Sequence, residues 1–310
     1  MDEKMFIEEK IGEIKETVGQ NKAISALSGG VDSSACTVLA HRAIGSNMMA
    51  IFIDDGLMRE DEPEDVTKIF SDLGIQVEVV NAHDEFFAAL KGIFDPEEKR
   101  KAFRKTFYTV FGREVLRSEA KYLIQGTIAA DIIETKGGVK TQHNILEQIG
   151  IDPEKGFGFK VVEPLKELFK PQVREVAREV GLPESIYRRM PFPGPGLATR
   201  VIGEVTPERV SLVRKATRIV EEEVEPLKPF QAFAVLLSDR GTGIDEGQRK
   251  FGNIIIVRSV ESKDAITAEP TEVPWEILMS ISKRITGEIP EVSRVAYEIT
   301  PKPPATIEYI

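Results

Sequence analysis

Three short apolar runs in the first eighty residues, each leading into a helical pattern, restrict the fold more than any other feature. Lys22–Leu27 runs into Gly-Gly and then into Val31–Ile44, where Val31, Ala35, Val38 and Leu39 share one helical face. Met48–Ile53 is closed by Asp54-Asp55-Gly56 and followed by the helical stretch Glu60–Leu73. Ile75–Val80 precedes a shorter helical stretch, His83–Leu90. Lys121–Gly126 reads as a fourth strand, after the charged stretch Pro96–Arg117, and Lys170–Val180 as a helix stopped by Gly181 and Pro183. Alternation of this kind implies an α/β fold. A mostly parallel twisted sheet carries helices on both faces and is joined by right-handed crossovers.

The alternation ends near Tyr187. Met190–Arg200 holds three prolines and two glycines, which exclude a regular helix or a central strand. Beyond it, Thr206 is placed to cap a helix with Pro207 in its first turn. Three short strand-like runs follow, Phe233–Ser238, Ile254–Val260 and Val292–Ile299, with a helix near Trp275–Ile285 between the last two. The expected division is residues 1–186, parallel α/β, and residues 187–310, a smaller α+β domain.

Composition removes several function classes. The 310 residues are 41% hydrophobic and 30% charged, enough apolar material for a sizeable core, and the length suggests two domains. A net charge of −10 argues against nonspecific nucleic-acid or membrane binding. A single cysteine cannot form an intrachain disulfide. The first residues are charged and helical in pattern, unlike a signal peptide, and no apolar run approaches the roughly 18 residues of a membrane span. The expected location is the cytoplasm.

Ser28-Gly29-Gly30-Val31-Asp32-Ser33-Ser34 carries the chemistry. It joins an apolar strand to an amphipathic helix, where free backbone N–H groups carry partial positive charge. Two glycines admit an anion close to the backbone, and three serines add hydroxyl donors. The spacing is neither the G-x-x-x-x-G-K-[ST] phosphate loop nor the G-x-G-x-x-G dinucleotide fingerprint. Asp32 would repel a phosphate unless a cation lay between them, which points to Mg²⁺.

This heptad resembles the pyrophosphate-binding loop of the ATP pyrophosphatases, with their adenine-nucleotide alpha-hydrolase-like fold. Further segments resemble the ATP-pyrophosphatase part of the GMP synthetases in particular. They are FIDDGLMR (Phe52–Arg59), EEKRK (Glu97–Lys101), QGTIAADIIE (Gln125–Glu134), EPLKELFK (Glu163–Lys170), PFPGPGLATRVIGEV (Pro191–Val205), SRVAYEIT (Ser293–Thr300) and KPPATIEYI (Lys302–Ile310). The resemblance implies that ATP binds on Ser28–Ser34 with Mg²⁺ and that residues 187–310 dimerise and help to bind XMP. It implies that Lys170 faces ATP phosphate and that Arg100, Lys302 and Glu308 contact XMP. Residue types agree. Lys170 at a helix start is unfavourable unless an anion lies nearby. Pro303-Pro304 would hold the tail extended and stiff, presenting Lys302 and Glu308 as a preset pair. Asp131 admits two readings, a second carboxylate near the metal or a helix cap.

Glutamine hydrolysis would need a cysteine nucleophile with a histidine base. Cys36 and His41 lie about 140° apart around one helix, so Cys36 reads as a small buried hydrophobe. His83 and His143 lack partners at metal-ligand spacing, so no zinc site is expected. The expected activity is a C–N-forming ligase that makes GMP from XMP, ATP and ammonia through an adenylyl-XMP intermediate. A separate glutamine amidotransferase subunit would supply the ammonia. A tRNA-modifying thiolase with the same loop and a nucleotide sensor without turnover are the rivals.

Overall fold

The computed structural model describes residues 2–129, 131–132, 160–245, 247–263 and 265–310. The chain clusters into two compact units. The first comprises Met1–Asp54, Asp61–Ala82 and Lys105–Arg189. The second comprises Asp55–Glu60, His83–Arg104 and Met190–Ile310. Among the described residues no helix is long and apolar enough to cross a membrane.

The first unit is built on a five-stranded parallel sheet. Strands β1 (Ala23–Leu27), β2 (Met48–Asp54), β3 (Val77–Asn81), β4 (Tyr122–Ile124) and β5 (Lys160–Val162) lie in the order β3-β2-β1-β4-β5. The chain moves outward one way through β2 and β3, then outward the other way through β4 and β5. The order reverses between β1 and β4, the switch point where open α/β sheets bind ligands beyond the strand ends. Ile24, Ile51 and Phe52 are fully buried, as central strands covered on both faces require. Helix α1 (Glu3–Val18) is capped by Asp2, whose carboxylate accepts from the Met5 N–H at 3.1 Å. Helix α2 (Val31–Ile44) has the predicted bounds and packs against α1. Helix α3 (Glu62–Asp72) is shorter than the stretch read from the sequence. Helix α4 (His83–Leu90), which belongs to the second unit, matches its expected bounds.

The charged stretch after Pro96 is one 23-residue helix, α5 (Pro96–Ser118). Composition reads Glu97–Lys101 as a solvated face, yet Lys99 is only 2% exposed. Its ammonium donates to the Val201 carbonyl at 2.7 Å. Strand β5 carries no apolar signal because it is three residues long at the sheet edge. Helix α6 (Lys170–Glu179) follows it.

The second unit corrects the expectation of short strands. Strands β6 (Gln231–Asp245) and β7 (Gln248–Glu261) form an antiparallel hairpin with an irregularity between Leu236 and Arg240. Its outer part is polar and glycine-bearing, so hydrophobic patterning stops while main-chain pairing continues. Strand β8 (Glu269–Pro270) pairs antiparallel with β7, and β9 (Val292–Tyr297) pairs parallel with it. Gly252 has a reason: a Cβ there would sit 2.7 Å from the Ser293 Cβ. Helix α7 (Pro207–Val224) lays Val210, Val213, Ala216, Ile219 and Val220, all fully buried, against β6 and α8 (Trp275–Glu288). Thr206 caps α7 as its sequence position suggests, accepting from the Arg209 N–H at 3.3 Å. The proline-rich run ends in a 3-10 turn, Gly196–Arg200, that is buried throughout, so Met190–Arg200 is not wholly irregular.

The tail is not an extended polyproline rod. The Ala305 N–H donates to the Pro301 carbonyl at 3.1 Å, closing a turn over Pro303-Pro304. Ile307 enters a core with Phe233, Val235, Val260 and Ala268.

Candidate functional site

In the first unit, the loop after β1 opens directly onto the N-terminus of α2. Gly29 takes φ +71°, which disfavours any side chain, and Gly30 is the helix cap with no side-chain partner of its own. The serines organise the loop. The Ser33 hydroxyl donates to the Gly30 carbonyl at 3.2 Å and accepts from the Ser28 N–H at 3.2 Å, and the two hydroxyls lie 3.0 Å apart. Ser34 is fully buried, its hydroxyl without a hydrogen-bond partner among the described residues. Val31 is buried and anchors the first turn of α2. The segment after β4 comes in from across the switch point. A Cβ on Gly126 would lie 2.8 Å from the Ser33 nitrogen and 2.9 Å from the Asp32 carbonyl carbon, so only glycine permits this approach.

Asp32 and Lys170, 138 positions apart, meet here. The Lys170 ammonium lies 2.6 Å from Asp32 Oδ2, so the anion it faces in this structure is a carboxylate. Asp32 Oδ1 is buried with no hydrogen-bond partner among the described residues. A buried carboxylate oxygen left open beside a row of N–H donors suits a hard cation shared with phosphate. Asp131 accepts from the Ile128 N–H at 2.9 Å through Oδ2, reaching back three residues as the third helical residue of a capping box does, and so is not the cap residue itself. Most of QGTIAADIIE is described, but residues 130, 133 and 134 lie outside the described residues, as does His143. Among the described residues no group of three or more His, Cys, Asp or Glu gathers as an all-protein metal cage. Mg²⁺ in phosphoryl chemistry needs only one or two carboxylates besides the phosphates.

Two residues beside the loop escape sequence reasoning. Glu62, 2% exposed at the start of α3, pairs with Arg189 at 2.8 Å. The same guanidinium nitrogen donates to the Gly29 carbonyl at 3.2 Å. No local pattern announces this, because the partners are separated by 127 and 160 positions. Cys36 is fully buried, and burial, reinforced by the charge of Asp32, pushes its thiol well above the usual range. Such a thiol is no nucleophile at neutral pH.

The second unit gathers the other predicted residues. Arg100 pairs with Glu97 on its own helix and lines one pocket with Lys99, Ala198, Thr199 and the C-terminal Ile310. Burial, with the nearby Arg209 charge adding, lowers the Lys99 ammonium to about 8. Glu308 is gripped by Arg200, whose guanidinium donates at 2.9 and 3.1 Å, and by the Gln231 amide. Arg200 is fully buried between the rings of Phe192 and Phe233, at 4.8 and 4.1 Å from their centroids. Lys302 donates to the Ala265 carbonyl at 2.6 Å. Lys302 and Glu308 are each held by different partners. Arg258, fully buried, donates to the carbonyls of Thr300, Thr306 and Ile307 at 2.8, 3.0 and 3.3 Å and pairs with Glu298 at 2.6 Å. The signal for it was present: one arginine inside the apolar run Ile254–Val260.

Comparison with known proteins finds relatives for both parts of the chain. The family model described as NAD synthase matches residues 3–194, and the one described as GMP synthase C terminal domain matches residues 209–309. A protein of Pyrococcus furiosus named as one subunit of a glutamine-hydrolysing GMP synthase is 57% identical over 307 residues, covering 98% of this chain and 96% of that protein. The proteins of the same name from Pyrococcus horikoshii and Archaeoglobus fulgidus are 55% and 54% identical, each with full coverage of both chains. Identity above one half along the entire length, on a chain that carries both matched regions, places this protein in that family of glutamine-hydrolysing GMP synthase subunits.

Proposed function

We infer that this chain is a C–N-forming ligase that makes GMP from XMP, ATP and ammonia, releasing AMP and pyrophosphate. One observation carries the reading: a single chain joins an NAD-synthase-like region to a GMP synthase C-terminal region, with relatives above 50% identity that carry the GMP synthase name.

The loop Ser28–Ser34 receives the β,γ-pyrophosphate of ATP. Its N–H groups and serine hydroxyls stabilise the charge that grows on the leaving pyrophosphate as O2 of XMP attacks the α-phosphorus. Ammonia then displaces AMP from C2 of the purine. Lys170, which pairs with Asp32, would contact ATP phosphate. Asp32, with Asp131 as the second candidate, would hold Mg²⁺, which supplies charge neutralisation between carboxylate and phosphate. The ATP role falls to residues 1–186. The XMP role falls to Arg100, Lys302 and Glu308, the last two within 187–310, which we also assign to homodimerisation.

Ammonia comes from a separate glutaminase subunit, since the relatives are named as one subunit of a glutamine-hydrolysing enzyme and Cys36 is buried. The test is AMP release in a coupled assay, with and without XMP, using ammonium or glutamine as nitrogen source. XMP-dependent AMP formation with ammonium, and none with glutamine, is expected. AMP formation without XMP, or none under any condition, refutes the substrate assignment. Turnover with glutamine alone refutes the separate glutaminase.

A further inference from the structure

We propose that Arg189, held by Glu62, is a positioning residue for the phosphate loop, fixing the Gly29–Gly30 peptide so that its N–H faces the bound anion. The proposal rests on the reading that Ser28–Ser34 receives the pyrophosphate of ATP.

The carbonyl of Gly29 and the N–H of Gly30 belong to one peptide unit. In a trans peptide they point in opposite directions. A group that holds the carbonyl therefore sets the direction of the N–H. Arg189 holds it, at 3.2 Å. On the other side, the Gly30 N–H makes only a long contact of 3.4 Å to the Ser28 hydroxyl, a donor that a phosphate oxygen could take over. A cation on the carbonyl also polarises the peptide and strengthens its N–H as a donor, as in any hydrogen-bonded chain.

Arg189 is itself fixed. The nitrogen that reaches Gly29 lies 2.8 Å from Glu62 Oε1, and Glu62 is 2% exposed. Glycine at position 29 leaves room for this pair. A Cβ there would sit 2.2 Å from Glu62 Oε1 and 2.9 Å from the Arg189 nitrogen. The bare face of Gly29 is thus occupied by the clamp. In the sequence both glycines pointed to close approach of the anion; for Gly29 the structure shows a protein-side reason as well.

The experiment uses the full chain and the variants R189M, R189K and E62Q, alone and with E62Q/R189M. Four quantities are read: affinity for pyrophosphate with Mg²⁺ by calorimetry, kcat/KM for ATP, affinity for XMP, and Tm. R189M should bind pyrophosphate about ten- to a hundredfold more weakly, the range of one charge-assisted hydrogen bond. Its kcat/KM for ATP should fall in parallel, with XMP affinity within about twofold of wild type. R189K should recover only part, because an ammonium cannot present the planar fork. E62Q should act in the same direction but less, and the double variant should be no worse than R189M. Pyrophosphate affinity indistinguishable from wild type in R189M and R189K overturns the proposal. So does a fall in XMP affinity as large as that for pyrophosphate, which would mean general loosening. If R189M does not fold, R189K and E62Q decide by the same criteria. Absence of pyrophosphate binding in the wild-type chain would refute the loop assignment itself, and this proposal with it. Wild-type AMP formation with unaltered variants refutes the clamp alone.

Discussion

The phosphate loop and the C-terminal tail are both polar and both assigned to nucleotide, yet they handle their polar groups in opposite ways. In the loop, Asp32 Oδ1 and Ser34 Oγ are buried without hydrogen-bond partners among the described residues, and one ammonium, Lys170, covers the remaining oxygen of Asp32. In the tail, Glu308 is held by Arg200 and Gln231, Lys302 by the Ala265 carbonyl, and three carbonyls in and before the tail by Arg258. Unsatisfied buried polar atoms are costly, and a fold retains them where a ligand completes the set. The loop is therefore built to receive; beside the tail Arg200 Nη1 is likewise buried without a partner among the described residues, but Glu308 and Lys302 themselves must exchange or share partners. Binding at the tail must draw on contacts that hold the second unit together, whereas in the loop the groups that must exchange are the Asp32–Lys170 pair and the serine hydroxyls.

Removing Lys302–Ile310 tests this difference most severely. The deletion takes Ile307 from the core, two carbonyl acceptors from Arg258, and the counter-ion Glu308 from the fully buried Arg200. Stripping partners from a buried charge costs about 3–5 kcal/mol, so loss of XMP binding should coincide with a large fall in Tm. A truncated chain with wild-type Tm would break the claim that the tail folds the second unit. Asp32→Asn should do the reverse. AMP formation should drop by about 10²–10³, the scale of losing one preorganised electrostatic group. Tm should hardly move, because the Asp32–Lys170 pair is partly exposed and worth at most about 1 kcal/mol. Near-normal AMP release with an unchanged Mg²⁺ requirement would remove Asp32 from the site.

Glu308→Gln sharpens the comparison on a smaller scale. XMP affinity should fall about tenfold, the loss of one charge-assisted hydrogen bond, and Tm should fall with it because Arg200 loses its counter-ion. A lower Tm with unaltered XMP affinity would leave Glu308 as a structural partner only. The smallest effect concerns Lys99, lowered from its ordinary 10.5 to about 8 in the folded chain. The unfolded chain binds the Lys99 proton more tightly. Its contribution to stability therefore rises between pH 8 and 10.5, is complete above 10.5, and is lost below 8. Between about pH 8 and pH 9 the rise should be about 1 kcal/mol. Denaturant unfolding of Lys99→Met beside wild type should lack that increment; identical pH profiles would refute it.

Legibility followed the range of the forces involved. Helix α2 and the cap at Thr206 were readable because their signals lie within a few residues. The outer half of the β6–β7 hairpin was not, because main-chain pairing continues beyond the hydrophobic pattern. The edge strand β5 was too short to show a pattern. Glu97–Lys101 misled in part: charge density suggests solvent, yet Lys99 is buried, its ammonium donating a hydrogen bond to a carbonyl 102 positions away. Pro303-Pro304 misled differently, since stiffness fixes a local angle and not the direction of the chain.

The sequence alone determined the α/β alternation, the heptad Ser28–Ser34 and the family resemblance, since periodicity and contiguous motifs are local properties. Only the tertiary structure decided which charges meet: Asp32 with Lys170, Glu62 with Arg189 on the Gly29 carbonyl, and Glu308 with Arg200. Those partners lie 108 to 160 positions apart. Their encounter depends on how strands and helices stack, because a charge shows no preference among distant opposite charges until packing excludes water and brings one of them within reach.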